Sequence, residues 1–151
     1  TYTYEDVCRL LDWDRNITSI NIGGYFYDEK TQTFPIFINY EKQAGAIAYA
    51  DRFISPAELI SLSKVNRQID SQDAQRMTQK GQYASIRILL FVRRSKDDDE
   101  AKAFYFLGAM HAAAAPQPVR LVNGQSAFEM HWRLETPVEE GLYEYLTGRR
   151  G

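Results

Sequence analysis

Two runs of strand-forming residues, SIRILLFVRR at 85–94 and AKAFYFLGAM at 101–110, flank the acidic stretch Ser95 to Glu100. Aromatic and β-branched residues at this density, bounded by a polar connection, predict two strands joined by a hairpin turn. FEMHWRLE at 128–135 alternates apolar and polar residues and predicts a further strand. Upstream, INIGGYFYDEKTQTFPIFINYEK supplies two more, at 22–28 and 34–40, around the polar connection Asp28 to Thr33. Pro35 has no N–H to give to a ladder, so it is expected at the start or edge of its strand. A substantial, largely antiparallel sheet that can close on itself follows.

Helical signals punctuate these runs. Thr3-Tyr4-Glu5-Asp6 resembles a capping box, and Tyr4, Val7, Leu10 and Leu11 recur at helical spacing, which predicts a helix over 4–11. Ser55-Pro56-Ala57-Glu58 combines a capping serine, a proline suited to the first helical position and a glutamate three residues after the cap, predicting a helix over 56–65. Residues 70–80 suggest a short helix capped by Asp70 or Ser71, and Ala112 to Gln117 reads as a loop. Thr136-Pro137-Val138-Glu139 repeats the capping logic before an amphipathic helix carrying Val138, Leu142, Tyr145 and Leu146, which Gly148 can end. With no repeat and no βαβ alternation, the fold class is α+β, with helices decorating a sheet.

At 151 residues and 44% hydrophobic, the chain can bury one core, so a single domain is expected. It starts at Thr1 without a signal-like or membrane-length apolar run, which suggests a domain excised from a larger cytoplasmic protein. A lone cysteine, Cys8, excludes an internal disulfide, and falls with Tyr4 and Leu11 on one helical face as filler. Two histidines far apart offer no zinc spacing, so neither a metal nor another cofactor is expected.

Catalytic readings fail. Gly23-Gly24 lacks the rest of a phosphate loop, and Ser61 and Ser63 have no histidine or lysine arrangement tied to them. The acids Asp97 to Glu100 lack ligand spacing and read as a solvated turn, while His111 and His131 read as hydrogen-bonded structural residues. No catalysis is expected within this chain.

Binding chemistry is better supplied. The net charge is only −2, yet from Arg52 to Lys96 nine basic residues face three acids, a local basic footprint compatible with nucleic acid. Among twenty aromatic residues, Trp13, Tyr25, Tyr27, Tyr40, Tyr49 and Phe53 sit in polar company. An extruded base wants this mixture, since aromatic faces replace its lost stacking and a carboxylate or amide reads its edge. Asp51 or a backbone carbonyl could accept from the exocyclic amine of cytosine. On the expected helix at 56–65, Ser63, Asn66 and Arg67 share a face, where Asn66 suits a polar edge and Lys64 and Arg67 suit phosphates.

The stretches YTYEDVCRLLDWDRN, IGGYFYDEKTQTFPIFINYEK, YADRFISPAELISLSKVNR, ILLFVRRSKDDDEAKAFYFLG and MHWRLETPVEEGLYEYL resemble, in order, the blocks of an uncharacterised C-terminal domain family. That family ends large bacterial proteins carrying a phospholipase-D-type nuclease and a superfamily-2 helicase. The resemblance implies a target-recognition domain of a modification-dependent restriction enzyme. It also implies a SET-and-RING-associated (SRA) fold of the PUA-like superfamily: a curved, mostly antiparallel β-barrel-like sheet with flanking helices, which flips 5-methylcytosine or 5-hydroxymethylcytosine into an aromatic pocket. Ala50 and Arg52 depart from the more acidic run that relatives carry there.

The reading is therefore a DNA-binding domain for double-stranded DNA containing a modified cytosine. Its base pocket is expected from Trp13, Tyr25, Asn39, Tyr40, Tyr49, Asp51, Phe53, Ser63 and Asn66. Phosphate contacts are expected from Arg15, Arg52, Lys64, Arg67, Arg93, Arg94 and Lys96. Nuclease and helicase domains of the same polypeptide would supply catalysis, and no membrane is involved. The alternative is an interaction module that docks on the helicase–nuclease without reading DNA.

Overall fold

The computed structural model describes residues 24–39, 51–93, 104–121 and 123–147. The expected helix at 4–11 and the acidic turn at 95–100 lie outside the described residues. β1 (Gly24–Tyr25) and β2 (Thr33–Asn39) pair antiparallel, with Gly24 opposite Phe37 and Tyr25 opposite Ile36. Their connection is closed by the Asp28 carboxylate, which accepts from the Thr31 amide at 2.9 Å and the Thr31 hydroxyl at 2.6 Å. Pro35 lies near the start of β2. Phe26 N–H donates to its oxygen at 3.4 Å, and the return bond across that pair is missing for want of a proline N–H.

The remaining elements are β3 (Arg52–Ser55), β4 (Glu58–Leu62), α1 (Gln72–Met77), β5 (Arg87–Arg93), β6 (Tyr105–Ala112), β7 (Gln117–Arg120), β8 (Ser126–Leu134) and α2 (Glu140–Thr147). Hydrogen-bonded neighbours run β1, β2, β5, β6, β8, β4, β3, with β7 beside β8, and among the described residues this path is open. β2 and β5 pair in parallel, from Thr33 opposite Arg87 to Asn39 opposite Arg93, and the other ladders are antiparallel. β6 and β7 share one edge of β8, since β4 occupies the other. β7 begins where the sequence reads as the end of a loop.

The central strands are covered on both faces, as strands with near-continuous apolar runs require. Phe34, Ile36 and Ile38 of β2 and Ile88, Leu90 and Val92 of β5 enter the main core with Phe128, Met130 and Trp132 of β8. On the opposite face Phe37 stacks on Phe91 at 5.0 Å, and Phe91 stacks on Phe106 at 4.9 Å. In β6, Leu107 is an extra residue between the pairs Leu90–Gly108 and Phe91–Phe106, and Gly108 takes φ +92° there.

The helix expected over 56–65 is instead the β3–β4 hairpin. Its local signals are real but serve a turn. Ser55 Oγ accepts from Ala57 N–H at 3.3 Å and donates to Glu58 Oε1 at 3.4 Å, so the serine and glutamate that would cap a helix brace the turn instead. Tertiary partners decide the outcome. Leu59, Ser61 and Ser63 are all buried, a period of two. Ser61 Oγ accepts from Trp132 Nε1 at 2.8 Å, and Ser63 exchanges bonds with Phe128 through its own N–H, at 2.8 Å, and its Oγ, at 2.9 Å. The turn is clamped from outside: Val138 N–H donates to Pro56 O at 2.9 Å and Leu134 N–H to Ala57 O at 2.8 Å.

α1 starts after Ser71, as expected, though Ser71 Oγ accepts from Gln68 N–H at 2.8 Å rather than capping the helix. For α2 the cap is Glu139 and not Thr136. Its carboxylate accepts from the amides of Gly141 and Leu142, both at 3.0 Å, and a negative group suits a helix start. α2 buries Leu146 and sets Tyr143 edge-on to Phe53 at 5.5 Å.

Candidate nucleic-acid interface

Beyond β4 the chain forms a polar loop that returns to α1. Ser63 is buried, and its Oγ also donates to Lys64 O at 2.9 Å. The loop turns at Val65 and Asn66. Asn66 takes φ +62°, a conformation asparagine tolerates better than most residues, and its N–H donates to Ser126 O at 2.7 Å.

Four side chains converge at the root of this loop. The Tyr25 hydroxyl donates to Asp73 Oδ2 and accepts from Lys64 N–H at 3.0 Å. The same Asp73 oxygen accepts from Arg67 Nε at 3.2 Å. Lys64 Nζ stands 4.8 Å from the Tyr25 ring centroid, while the ring itself stacks on Phe34 at 5.3 Å. Burial first, then the bond to Asp73, pushes the Tyr25 phenol well above its ordinary pKa of 10, so it stays a proton donor at neutral pH. One turn along α1 from Asp73, the Arg76 guanidinium lies 4.3 Å over the Tyr27 ring and 5.9 Å from the Tyr83 ring. Three cations and one carboxylate thus share this patch with three tyrosines. Such a surface can bind anionic groups and offers no nucleophile–base pair.

Among the residues expected at a site, the structure brings Tyr25, Lys64 and Arg67 together and puts Asn66 at the exposed tip of the same loop. They meet through a loop and not on a helix face. Asp51 ties to the end of β4, accepting Leu62 N–H at 2.6 Å. Arg52 pairs with Glu129 at 3.4 Å. Phe53 is in the core, and Arg93 is buried 4.6 Å over Phe104 on the phenylalanine face of the sheet. Trp13, Arg15, Tyr40, Tyr49, Arg94, Lys96 and the side chain of Asn39 lie outside the described residues. Asp73, Arg76 and Tyr83 were not foreseen. The available signal was that Asp73 is one of only three acids in the basic segment. His111 meets Gln79 at 3.1 Å and Glu135 at 2.5 Å, and His131 lies 3.4 Å from Glu58. Among the described residues no group of His, Cys, Asp and Glu could hold a metal ion, and no helix is long and apolar enough to cross a membrane.

Residues 1–146 match the model of a family described as a domain of unknown function, DUF3427. The chain belongs to this family. No curated protein matches it. Two solved structures resemble this family member over most of their length. One is the SRA domain of SUVH5 with fully methylated CG DNA, at 10% identity and a TM-score of 0.56, covering 92% of this chain and 90% of that one. The other is the SUVH5 SRA domain with methylated CHH DNA, at 11% identity, a TM-score of 0.56 and the same coverage. The fold is α+β and SRA-like, a mostly stranded sheet with few helices.

Proposed function

We propose that this domain binds double-stranded DNA and recognises 5-methylcytosine or 5-hydroxymethylcytosine, extruding the base into an aromatic-lined pocket. The observation that carries the reading is the SRA-like fold over almost the whole chain, shared with the SUVH5 SRA domain in two structures that contain methylated DNA. The basic, tyrosine-rich patch around Lys64, Arg67 and Arg76 supports an anionic partner. In this reading Arg52, Lys64 and Arg67 contact phosphates, together with Arg15, Arg94 and Lys96, while the buried Arg93 does not. Asp51, Asn66 and Asn39 read polar edges, and Trp13, Tyr40 and Tyr49 supply aromatic surface, since Phe53 and Ser63 are buried and the Tyr25 ring is packed on Phe34. The domain acts as the target-recognition part of a cytoplasmic modification-dependent endonuclease, with catalysis in nuclease and helicase domains of the same polypeptide. The test is a titration with duplexes carrying 2-aminopurine beside a 5-methylcytosine. Fluorescence should rise as the domain saturates; saturation without a rise refutes base extrusion, and no binding refutes the reading as a whole.

A further inference from the structure

We infer that Tyr25 and Asp73 are positioning residues that hold Arg67 in one orientation, with the outer edge of its guanidinium presented to a DNA phosphate. The inference rests on the DNA-binding reading above. Three observations carry it.

First, Arg67 is anchored through one edge only. Nε is committed to Asp73 Oδ2 at 3.2 Å, and among the described residues neither terminal nitrogen has a partner, while the side chain remains 41% exposed. A guanidinium bound this way keeps a planar fork of donors, and phosphate oxygens match that fork in pairs. Second, the anchoring carboxylate is itself fixed. Asp73 has a side chain only 12% exposed and receives the Tyr25 hydroxyl on the oxygen that binds Arg67. It cannot follow a swinging arginine into solvent. Third, Tyr25 holds both ends of the loop that carries Arg67. Its hydroxyl accepts Lys64 N–H at the loop's start and donates to Asp73 at the base of α1 beyond it. A tyrosine stacked on Phe34 at 5.3 Å and approached by Lys64 Nζ at 4.8 Å has a packed ring, so its contribution is the hydroxyl rather than a platform for a base. Restricting a long side chain before binding removes part of the ordering entropy that a phosphate contact would otherwise cost.

The test measures Kd for one 5-methylcytosine duplex, and for its unmodified match, across a series of salt concentrations. The intact chain, Arg67→Ala, Tyr25→Phe, Asp73→Asn and the double variant Tyr25→Phe/Arg67→Ala are compared, each with its thermal midpoint. For Arg67→Ala the slope of log Kd against log salt should fall by about 0.9, the loss of one phosphate contact. Tyr25→Phe and Asp73→Asn should lower the slope in the same direction, weaken both duplexes by the same factor, and add nothing once Arg67 is gone. Slopes equal to that of the intact chain, with only a lower thermal midpoint, overturn the inference and leave the two residues a purely structural role. Additive losses in the double variant overturn it too. An intact chain that binds neither duplex, or binds without salt dependence, overturns instead the DNA-binding reading underneath it.

Discussion

Replacing Ser61 with alanine tests the register that distinguishes the β3–β4 hairpin from the helix its sequence suggests. In the folded chain Ser61 is 5% exposed and accepts the indole N–H of Trp132, itself 0% exposed, at 2.8 Å. Ser61→Ala leaves that N–H buried with nothing to receive it, a penalty of about 1–3 kcal/mol. A mid-range loss of about 2 kcal/mol lowers Tm by about 4–8 °C in a domain of this size. Urea unfolding followed by far-ultraviolet circular dichroism is the assay, because it reads the sheet in every variant, including those that lack Trp132. The sign is what decides. Were 56–65 a helix with Ser61 facing outward, alanine would stabilise it by about 0.5 kcal/mol through helix propensity. A midpoint unchanged or raised therefore refutes the hairpin register. In a Trp132→Phe background the same substitution should cost much less, since the donor is already gone; equal costs in both backgrounds would break the proposed coupling.

Glu139→Ala removes the cap of α2 and should cost about 0.5–2 kcal/mol in chemical unfolding, with Thr136→Ala nearly silent; the reverse order would restore Thr136 as the cap. Gly108→Ala should destabilise by about 1 kcal/mol or more, although a β-carbon there meets nothing within 4 Å, because φ +92° is strained for any L-residue; a neutral result would mean that the bulge relaxes. Tyr25 keeps its proton in the folded chain at pH values where the unfolded chain, titrating near 10, has lost it. Its contribution is thus complete below pH 10 and falls above it by about 1.4 kcal/mol per pH unit. Tyr25→Phe should flatten that alkaline decline, and an unchanged decline would show that the phenol is not held in its protonated form.

Much of the sheet was legible because its strands carry their pattern locally. The pair at 24–39 announced itself by two β-rich runs around a polar connection, and ILLFV reads as apolar because β5 is covered on both faces. Pairing partners were not legible: nothing in TFPIFIN or RILLFVR says that these two strands run in parallel, since the fragments between them are connected through other elements. SPAE misled for a physical reason. A serine oxygen, a proline and a following glutamate satisfy a turn's amides as well as a helix's first turn, and only Trp132 and Phe128, some 70 residues away in sequence, tip the choice. The site divides similarly. Tyr25, Lys64 and Arg67 were identifiable by residue type in a basic, aromatic stretch, yet the carboxylate that joins two of them, Asp73, gains its role only when α1 folds against β1.

The proposed function requires that this domain distinguish a modified cytosine from an unmodified one. Three duplexes identical except for cytosine, 5-methylcytosine or 5-hydroxymethylcytosine at one position, titrated at a single fixed salt concentration, measure it directly. A methyl group received by an apolar pocket is worth about tenfold or more in affinity, so at least one modified duplex should bind tighter than the unmodified one by that margin. Equal Kd values for all three would contradict the claim, whatever the affinity for DNA.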